Sequence, residues 1–464
     1  MMVKDTVEKG RYLVGLLESA IGKRGRSASV MSHIPGMTPE VRRPWVSGLR
    51  TGVVAGASIT GLAVGAVATI AGFYARTIVT PPKQGNEALR ILGVGYETPE
   101  PSESDIPTTV TLPANDETLV SGRYMLFFDG GRGYAVVGDV VAYSPRLETV
   151  TRRVVEVHEG DLREAKRGRW SGAIYENPGD AGYDYDDVTL ELPVGDAPAW
   201  VVPAPQGSSC RTWAVMVHGR GAARQETLRS LDTVQELGMT SIHVAYRNDR
   251  DAPPSEDGRY GLGFTEWEDI EIAIRYALDH GAHDVVLFGW SMGGAIALQA
   301  TDKSQYQHLI KALVLDGPVV DWFELIRYHS RMQRLPLRLG QLVSDLLAEP
   351  RAAMMTGLGA PILLSDLDWL SRSDELLTPT LILHSVDDEF VPVNTSVDLA
   401  SRNSLVELVP FHKARHTKEW NVDPERWKQA VVEWLPEHLF HESAPTELPE
   451  GESPLDVAER QADY

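Results

Sequence analysis

Cysteine is almost absent from the 464-residue chain, and basic side chains are outnumbered by acidic ones. Cys210 is the single cysteine, so the sequence has no internal disulfide and no paired cysteine spacing for a structural zinc site. The 44 basic against 65 acidic side chains give a formal net charge of −21, which repels nucleic acid. The histidines and acidic residues form no H-E-x-x-H or similar ligand spacing. We therefore predict no metal, no cofactor and no nucleic-acid partner.

Charge is also missing from residues 51–75, TGVVAGASITGLAVGAVATIAGFYA. As a helix this stretch would be about 37 Å long, enough for a bilayer core, and it predicts a transmembrane helix. A buried, alanine-rich helix within a protein core is the alternative interpretation. Basic residues predominate in residues 1–50, whereas an acidic run from Glu97 to Asp105 follows the stretch. This asymmetry predicts a single-pass membrane protein with a cytoplasmic N-terminus and its main domain beyond the membrane.

The remaining chain divides by composition. Residues 76–117 are rich in Pro, Thr, Glu and Ser and predict a linker, and residues 118–169 contain short Val-, Tyr- and Phe-rich runs typical of a small β-rich module. In residues 170–441 strand and helix patterns alternate, which predicts a mostly parallel sheet covered by helices on both faces. Residues 442–464 form an acidic tail that we predict to be disordered.

A G-x-S-x-G motif lies within the alternating region. An apolar strand pattern over residues 285–288 is followed by Gly289-Trp290-Ser291-Met292-Gly293 and then by a helical pattern. In this context the serine lies on a sharp turn, and the glycines on either side let neighbouring backbone approach closely. The motif predicts Ser291 as a nucleophile.

A serine nucleophile needs a histidine base and a carboxylate that orients the histidine. The apolar strand PTLILHS, from residue 379, is followed by Asp387 and Asp388, and another strand is followed by a loop that contains His412 and His416. Asp316, at the end of an earlier strand, is an alternative carboxylate.

In its order and context this region, from about residue 170 to 441, resembles the α/β-hydrolase fold, and more specifically its esterase- and lipase-like serine hydrolases. The family motif H-G-x-x-D-x-x-V-P matches His384, Asp388, Val391 and Pro392, with Ser385 in place of glycine. The resemblance implies that Asp388 is the catalytic acid and that His416, just before the closing helix, is the catalytic histidine. His412 is then a surface residue.

Two backbone amides are candidates for an oxyanion hole. The amide of Met292 directly follows the nucleophile at a helix N-terminus. The segment WAVMVHGRG, from residue 213, matches the His-Gly-x loop of the family, which points to the amide of Arg220. For His218 in this loop we expect a structural role, in which its hydrogen bonds hold the loop.

Residues 322–377 separate the Asp316 strand from the Asp388 strand and predict a helical cap, whose Leu, Met and Trp content favours an apolar acyl substrate. The sequence therefore predicts a serine hydrolase that cleaves an acyl ester through an acyl-serine intermediate. A thioesterase, a peptidase or an acyltransferase with the same triad, and a non-catalytic binding scaffold, are the alternatives. No oligomeric state is predicted.

Overall fold

The computed structural model describes residues 68–82, 87–97, 102, 105–335 and 338–439. The basic segment 1–50, residues 51–67 of the uncharged stretch and the acidic tail 442–464 lie outside the described residues.

The end of the uncharged stretch lies in a helix, α1, over residues 68–79. Ala71, Ala75 and Val79 are spaced four residues apart, share one face of α1 and are fully buried in the core of the protein. Their small side chains let α1 pack closely against other protein elements. This is the arrangement of the alternative interpretation, a buried, alanine-rich helix within a protein core.

The prediction of a membrane location is wrong. Within the described ranges, no helix combines the length and the apolar composition that crossing a bilayer requires. This contradicts the predicted single pass through residues 51–75, with a cytoplasmic N-terminus and the main domain beyond the membrane. The prediction weighed the apolar length and the flanking charges of the stretch, and both are compatible with a helix packed on protein.

A seven-stranded antiparallel sheet follows α1, in the order β1-β7-β4-β5-β6-β3-β2. Its strands are β1 (Leu89–Arg90), β2 (Gly93–Gly95), β3 (Thr109–Pro113), β4 (Tyr124–Phe128), β5 (Gly133–Ser144), β6 (Thr149–Glu159) and β7 (Arg167–Ser171). One face carries a small apolar core that includes Leu112, Leu126 and Val150. We call this unit the small sheet.

The structure differs from the linker predicted over residues 76–117. The end of α1 and the strands β1, β2 and β3 lie in this range. Strands of two and three residues are too short to show a period of their own, and their conformation comes from pairing with β7 and β3. The alternation in β3 is also short, and it is fixed by its register against β6.

The second sheet has eight strands, in the order β15-β14-β13-β12-β10-β11-β9-β8. Its strands are β8 (Asp186–Leu192), β9 (Gly195–Val202), β10 (Thr212–Val217), β11 (Thr240–Val244), β12 (Asp284–Trp290), β13 (Ile310–Asp316), β14 (Thr380–Ser385) and β15 (Val406–Phe411). β8 and β9 are antiparallel to their neighbours, and β10 to β15 run parallel. The carboxyl ends of the parallel strands therefore meet at one edge, where functional residues collect in such sheets.

Helices cover both faces of this sheet, and each face has its own apolar cluster. The helices are α2 (Leu231–Glu236), α3 (Trp267–Asp279), α4 (Met292–Lys303), α5 (Trp322–Met332), α6 (Arg338–Ala348), α7 (Ala353–Thr356), α8 (Asn394–Arg402), α9 (Glu419–Val422) and α10 (Pro424–Leu439). β14 is buried along its whole length, and β12 at every residue after Asp284, because both faces of the sheet are covered. α5, α6 and α7 lie in the range predicted as a cap.

Candidate active site

Ser291 lies at the turn between β12 and α4. Its backbone has φ 53° and ψ −113°, a strained conformation for a residue with a side chain. The flanking glycines make this turn possible: a Cβ on Gly293 would lie 2.1 Å from the carbonyl oxygen of Val217, and one on Gly289 would lie 2.6 Å from that of Gly293. The turn therefore raises the Ser291 hydroxyl above the carboxyl end of the sheet.

His416 connects Ser291 to Asp388. The Nε2 atom of His416 is 2.8 Å from Ser291 Oγ, and its Nδ1 atom is 2.7 Å from Asp388 Oδ2. With the proton on Nδ1, the imidazole donates to the carboxylate and accepts from the serine hydroxyl. The structure thus brings together the three predicted side chains, which come from three separate strand ends.

Asp388 is held in place through both carboxylate oxygens. Oδ1 accepts the amides of Phe390 at 2.7 Å and Val391 at 2.9 Å, and Oδ2 is also 3.3 Å from Nε2 of His384. Burial acts to raise the pKa of Asp388, but the charge of His416 and the hydrogen bonds from the two histidines outweigh it, so this pKa lies well below its usual value. The carboxylate therefore stays ionised beside His416.

The oxyanion-hole candidates are the backbone amides of Met292 and Arg220. Met292 is the first residue of α4, so its amide has no acceptor within the helix. In the His-Gly-x loop, the Gly219 amide donates to Oε2 of Glu226 at 2.8 Å, and a Cβ on Gly219 would lie 3.2 Å from Cβ of Ser291. Because the Gly219 amide is already used, the next amide, that of Arg220, is the candidate on this loop.

The structure places the alternative residues elsewhere. The side chain of Asp316 accepts a hydrogen bond from Nε1 of Trp427 at 2.8 Å and lies against Glu419. His412 is exposed. His218 is fully buried, and its Nε2 pairs with Asp249 at 2.7 Å, in keeping with a role in holding the loop.

Loops from the small sheet contact the loop that carries His416. Nζ of Lys418 is 2.9 Å from the carboxylate of Glu117, and the side-chain amide of Asn421 donates to the carbonyl of Arg123 at 2.6 Å. Asn421 also accepts from the guanidinium of Arg229, which donates to the carbonyl of Thr417 as well. The position of His416 therefore depends on contacts from outside the second sheet.

Sequence reasoning missed Glu226 and Glu419, two acidic residues beside the predicted triad. Glu226 holds the His-Gly-x loop through Gly219, and its other oxygen lies 3.5 Å from Oγ1 of Thr417. Glu419 is fully buried, accepts the Ser385 amide at 2.8 Å and lies beside the buried carboxyl group of Asp316. Both lie in polar runs with no motif, so only the fold reveals their position.

The Glu419 and Asp316 pair predicts a pH dependence of stability. Burial and the neighbouring Asp316 raise the pKa of Glu419 well above its usual value, so the folded protein keeps a proton that the unfolded chain releases. The contribution of this proton to the free energy of unfolding is therefore complete at a pH below the ordinary carboxyl pKa. As the pH rises from there toward the raised pKa of Glu419, the contribution falls by about 1.4 kcal/mol per pH unit. Glu419→Gln, which imitates the protonated group, is expected to remove this decline.

Urea unfolding of the wild type and Glu419→Gln between about pH 5 and pH 8 measures this effect. The advantage of the variant is expected to grow with pH. Glu407→Gln, which neutralises an exposed carboxylate on β15, is the matched control and should follow the wild type. If Glu419→Gln and wild type give parallel curves, the pair does not retain a proton.

Comparisons with known proteins place the fold in context. No curated protein matches the chain. Residues 101–171 match a domain of unknown function, DUF8805. Solved structures with a similar fold include an esterase from Pyrococcus furiosus, 17% identical over 57% of this chain and 95% of that one with a TM-score of 0.44. An esterase from Butyrivibrio proteoclasticus is 18% identical over 54% of this chain and 98% of that one, with a TM-score of 0.40.

The model of the alpha/beta hydrolase family matches residues 214–450, about half of the chain. This range contains β12, the Ser291 turn, and the strands β14 and β15 that precede Asp388 and His416. The predicted resemblance is confirmed: the chain belongs to the alpha/beta hydrolase family.

Proposed function

We propose that this protein is a serine hydrolase that cleaves an acyl ester through a covalent acyl-serine intermediate. The observation that carries the proposal is the pair of hydrogen bonds that joins Asp388, His416 and Ser291, at 2.7 Å and 2.8 Å. This is the geometry that a nucleophile, its general base and an orienting carboxylate require.

In the acylation step, Ser291 Oγ attacks the ester carbonyl while His416 Nε2 takes its proton. Asp388 keeps the proton on Nδ1 and stabilises the imidazolium that forms, and the pKa of Asp388, lowered despite burial, keeps it ionised for this task. His416 then gives the proton to the departing alcohol oxygen, which breaks the ester bond and leaves the acyl group on Ser291.

In the deacylation step, water replaces the alcohol. His416 takes a proton from the water, the hydroxide attacks the acyl carbonyl, and His416 returns the proton to Ser291 as the acid leaves. Both steps pass through a tetrahedral oxyanion. We assign its stabilisation to the backbone amides of Met292 and Arg220, a contribution of about 10²- to 10³-fold for one donor in other hydrolases.

The surroundings of His416 favour an apolar acyl group. The ring centre of Phe390 lies 4.9 Å from that of the His416 imidazole and 5.1 Å from that of His329 in α5. Burial lowers the pKa of His329, so its imidazole is neutral near pH 7. Phe390 and the cap residue His329 thus offer neutral, aromatic surface near His416, which suits an alkyl or aryl substituent better than a charged one.

The test uses the purified full-length chain, a fluorophosphonate probe and p-nitrophenyl esters of increasing chain length. Labelling and ester hydrolysis, both abolished in Ser291→Ala, are the expected results. Acyl thioesters, aminoacyl anilides and alcohol acceptors in the same series separate thioesterase, peptidase and acyltransferase activities. A folded wild-type protein that neither reacts with the probe nor turns over any substrate would instead support a binding scaffold.

A further inference from the structure

The C-terminal end of α1 lies on the loop that carries the Arg220 amide. The last carbonyl groups of a helix have no partner within the helix and need donors from elsewhere. Here Thr77, Ile78 and Thr80 all present their carbonyls to the Arg220 guanidinium, at distances of 2.7, 2.8 and 2.6 Å. The amide of Tyr260 takes the remaining carbonyl, that of Val79, at 2.8 Å.

A cation at a helix C-terminus is favourable because it compensates the negative end of the helix dipole. The contact is also sterically tight. Gly221, directly after Arg220, has φ +70°, and a Cβ there would lie 2.3 Å from Cγ of Pro82. The segment after α1 and the His-Gly-x loop therefore fit against each other with no room for a side chain.

The rest of α1 contacts the core and the cap. Ala71 and Ala75 are fully buried in the main apolar cluster, and the Tyr74 hydroxyl donates a hydrogen bond to the side-chain oxygen of Gln333, just after α5. A Cβ on Gly72 would lie 2.5 Å from Cε of Met355 in α7. One helix thus joins the cap to the loop beside Ser291.

We propose that Arg220 is a positioning residue that makes the oxyanion hole dependent on the docking of α1. Its side chain holds the end of α1, and its own backbone amide is the donor assigned to the oxyanion. This inference rests on the proposed function. A displacement of α1 moves the guanidinium, and with it the peptide group that must point at the reacting oxygen.

The first test compares Arg220→Met with Arg259→Met in the full-length protein. Arg259 also reaches this segment, through Oγ1 of Thr80 at 2.6 Å, but lies on a different loop, so it is the matched control. Arg220→Met is expected to lower kcat for ester hydrolysis about 10- to 100-fold with KM nearly unchanged, since a misplaced donor weakens mainly the transition state. Affinity for a trifluoromethyl ketone, which forms a tetrahedral oxyanion adduct, should fall in parallel, whereas Arg259→Met leaves kcat within about twofold.

A double-mutant cycle tests whether α1 acts through Arg220. Ala75→Leu enlarges a fully buried residue on the docking face of α1 and leaves Arg220 intact. If both substitutions affect the same contact, the loss of kcat in the double variant is smaller than the product of the two single losses. Independent effects, which multiply, would overturn the proposal.

Amide hydrogen exchange gives a readout that does not need activity. Arg220→Met is expected to speed amide exchange at residues 218–223 as well as at 77–80, and Arg259→Met to speed it, of these two segments, only at 77–80. Unchanged kcat in Arg220→Met, an equal loss in Arg259→Met, or faster exchange confined to 77–80 each overturns the positioning role. If the wild-type protein has no esterase activity, the proposed function and the role of Arg220 are both wrong. The wild-type measurement alone reveals this outcome, so it is distinct from a failure of the Arg220 proposal.

Discussion

Ser291→Ala is expected to lower kcat/KM for ester hydrolysis by about 10⁵- to 10⁶-fold, the size of effect seen when a triad nucleophile is removed. The Ser291 hydroxyl is the atom that forms the new bond, and His416 lies 2.8 Å away to take its proton. The remaining turnover would come from water attack supported by the oxyanion donors and by substrate binding. Progress curves at high enzyme concentration, together with loss of fluorophosphonate labelling, measure this result.

Ser230→Ala is the matched control for this loss. Ser230 is another buried serine of the same domain, and its hydroxyl donates to the carbonyl of Thr227 at 2.7 Å. It should keep labelling and activity. If Ser291→Ala remains folded and still takes the probe, another residue is the nucleophile and the acyl-serine mechanism is wrong.

Asp388→Asn is expected to lower kcat by about 10⁴-fold with little change in KM. Asparagine keeps the shape of the side chain, but an amide group facing Nδ1 of His416 favours the tautomer that carries its proton on Nε2. The imidazole then has no lone pair for the Ser291 hydroxyl. The kcat of the variant, followed as pH is raised, measures the loss.

Asp387→Asn and Asp316→Asn are the controls that separate Asp388 from its competitors. Asp387 is adjacent in sequence but accepts the Lys413 amide at 2.7 Å, away from His416. Both control variants should keep kcat within about tenfold of the wild type. A larger loss in Asp316→Asn than in Asp388→Asn would transfer the role of the orienting carboxylate to Asp316.

The grouping of Ser291, Asp388 and His416 was predictable because each follows a recognisable apolar strand. Parallel strands place their carboxyl ends at one edge, so strand order alone brings distant residues together. The preference for Asp388 over Asp316 came from the resemblance of His384, Asp388, Val391 and Pro392 to the family motif, and not from periodicity. The structure places Asp388, not Asp316, against the imidazole. Their roles in catalysis remain predictions for the variants above to test.

The sequence did not reveal the residues whose positions depend on distant partners. Glu419 looks like one more charge in a polar run, and only the packing of α9 beneath β14 buries its carboxyl group. The contacts of the Arg220 side chain could not be predicted either, since its three acceptors lie some 140 residues earlier in the chain. Long-range polar contacts of this kind leave no periodic signal.

The membrane prediction failed for a related reason. Hydropathy measures how well a segment avoids water, and it does not distinguish lipid from a protein core as the surroundings. The small side chains of α1 let it pack closely against the cap, and the C-terminal end of α1 contacts Arg220. The charges before and after the stretch predicted the orientation of a membrane-spanning helix. None of the described helices has the length and apolar composition to be one.

The contacts between the small sheet and the loop of His416 have a practical consequence. Trimming the protein to the portion that the family model matches, residues 214–450, would delete Glu117 and Arg123 and release Lys418 and Asn421 from their partners. Under the proposed function, we therefore expect this fragment to position His416 less firmly than the whole chain does, and to lose activity with it. Transfer of this domain to another protein should include the small sheet for the same reason.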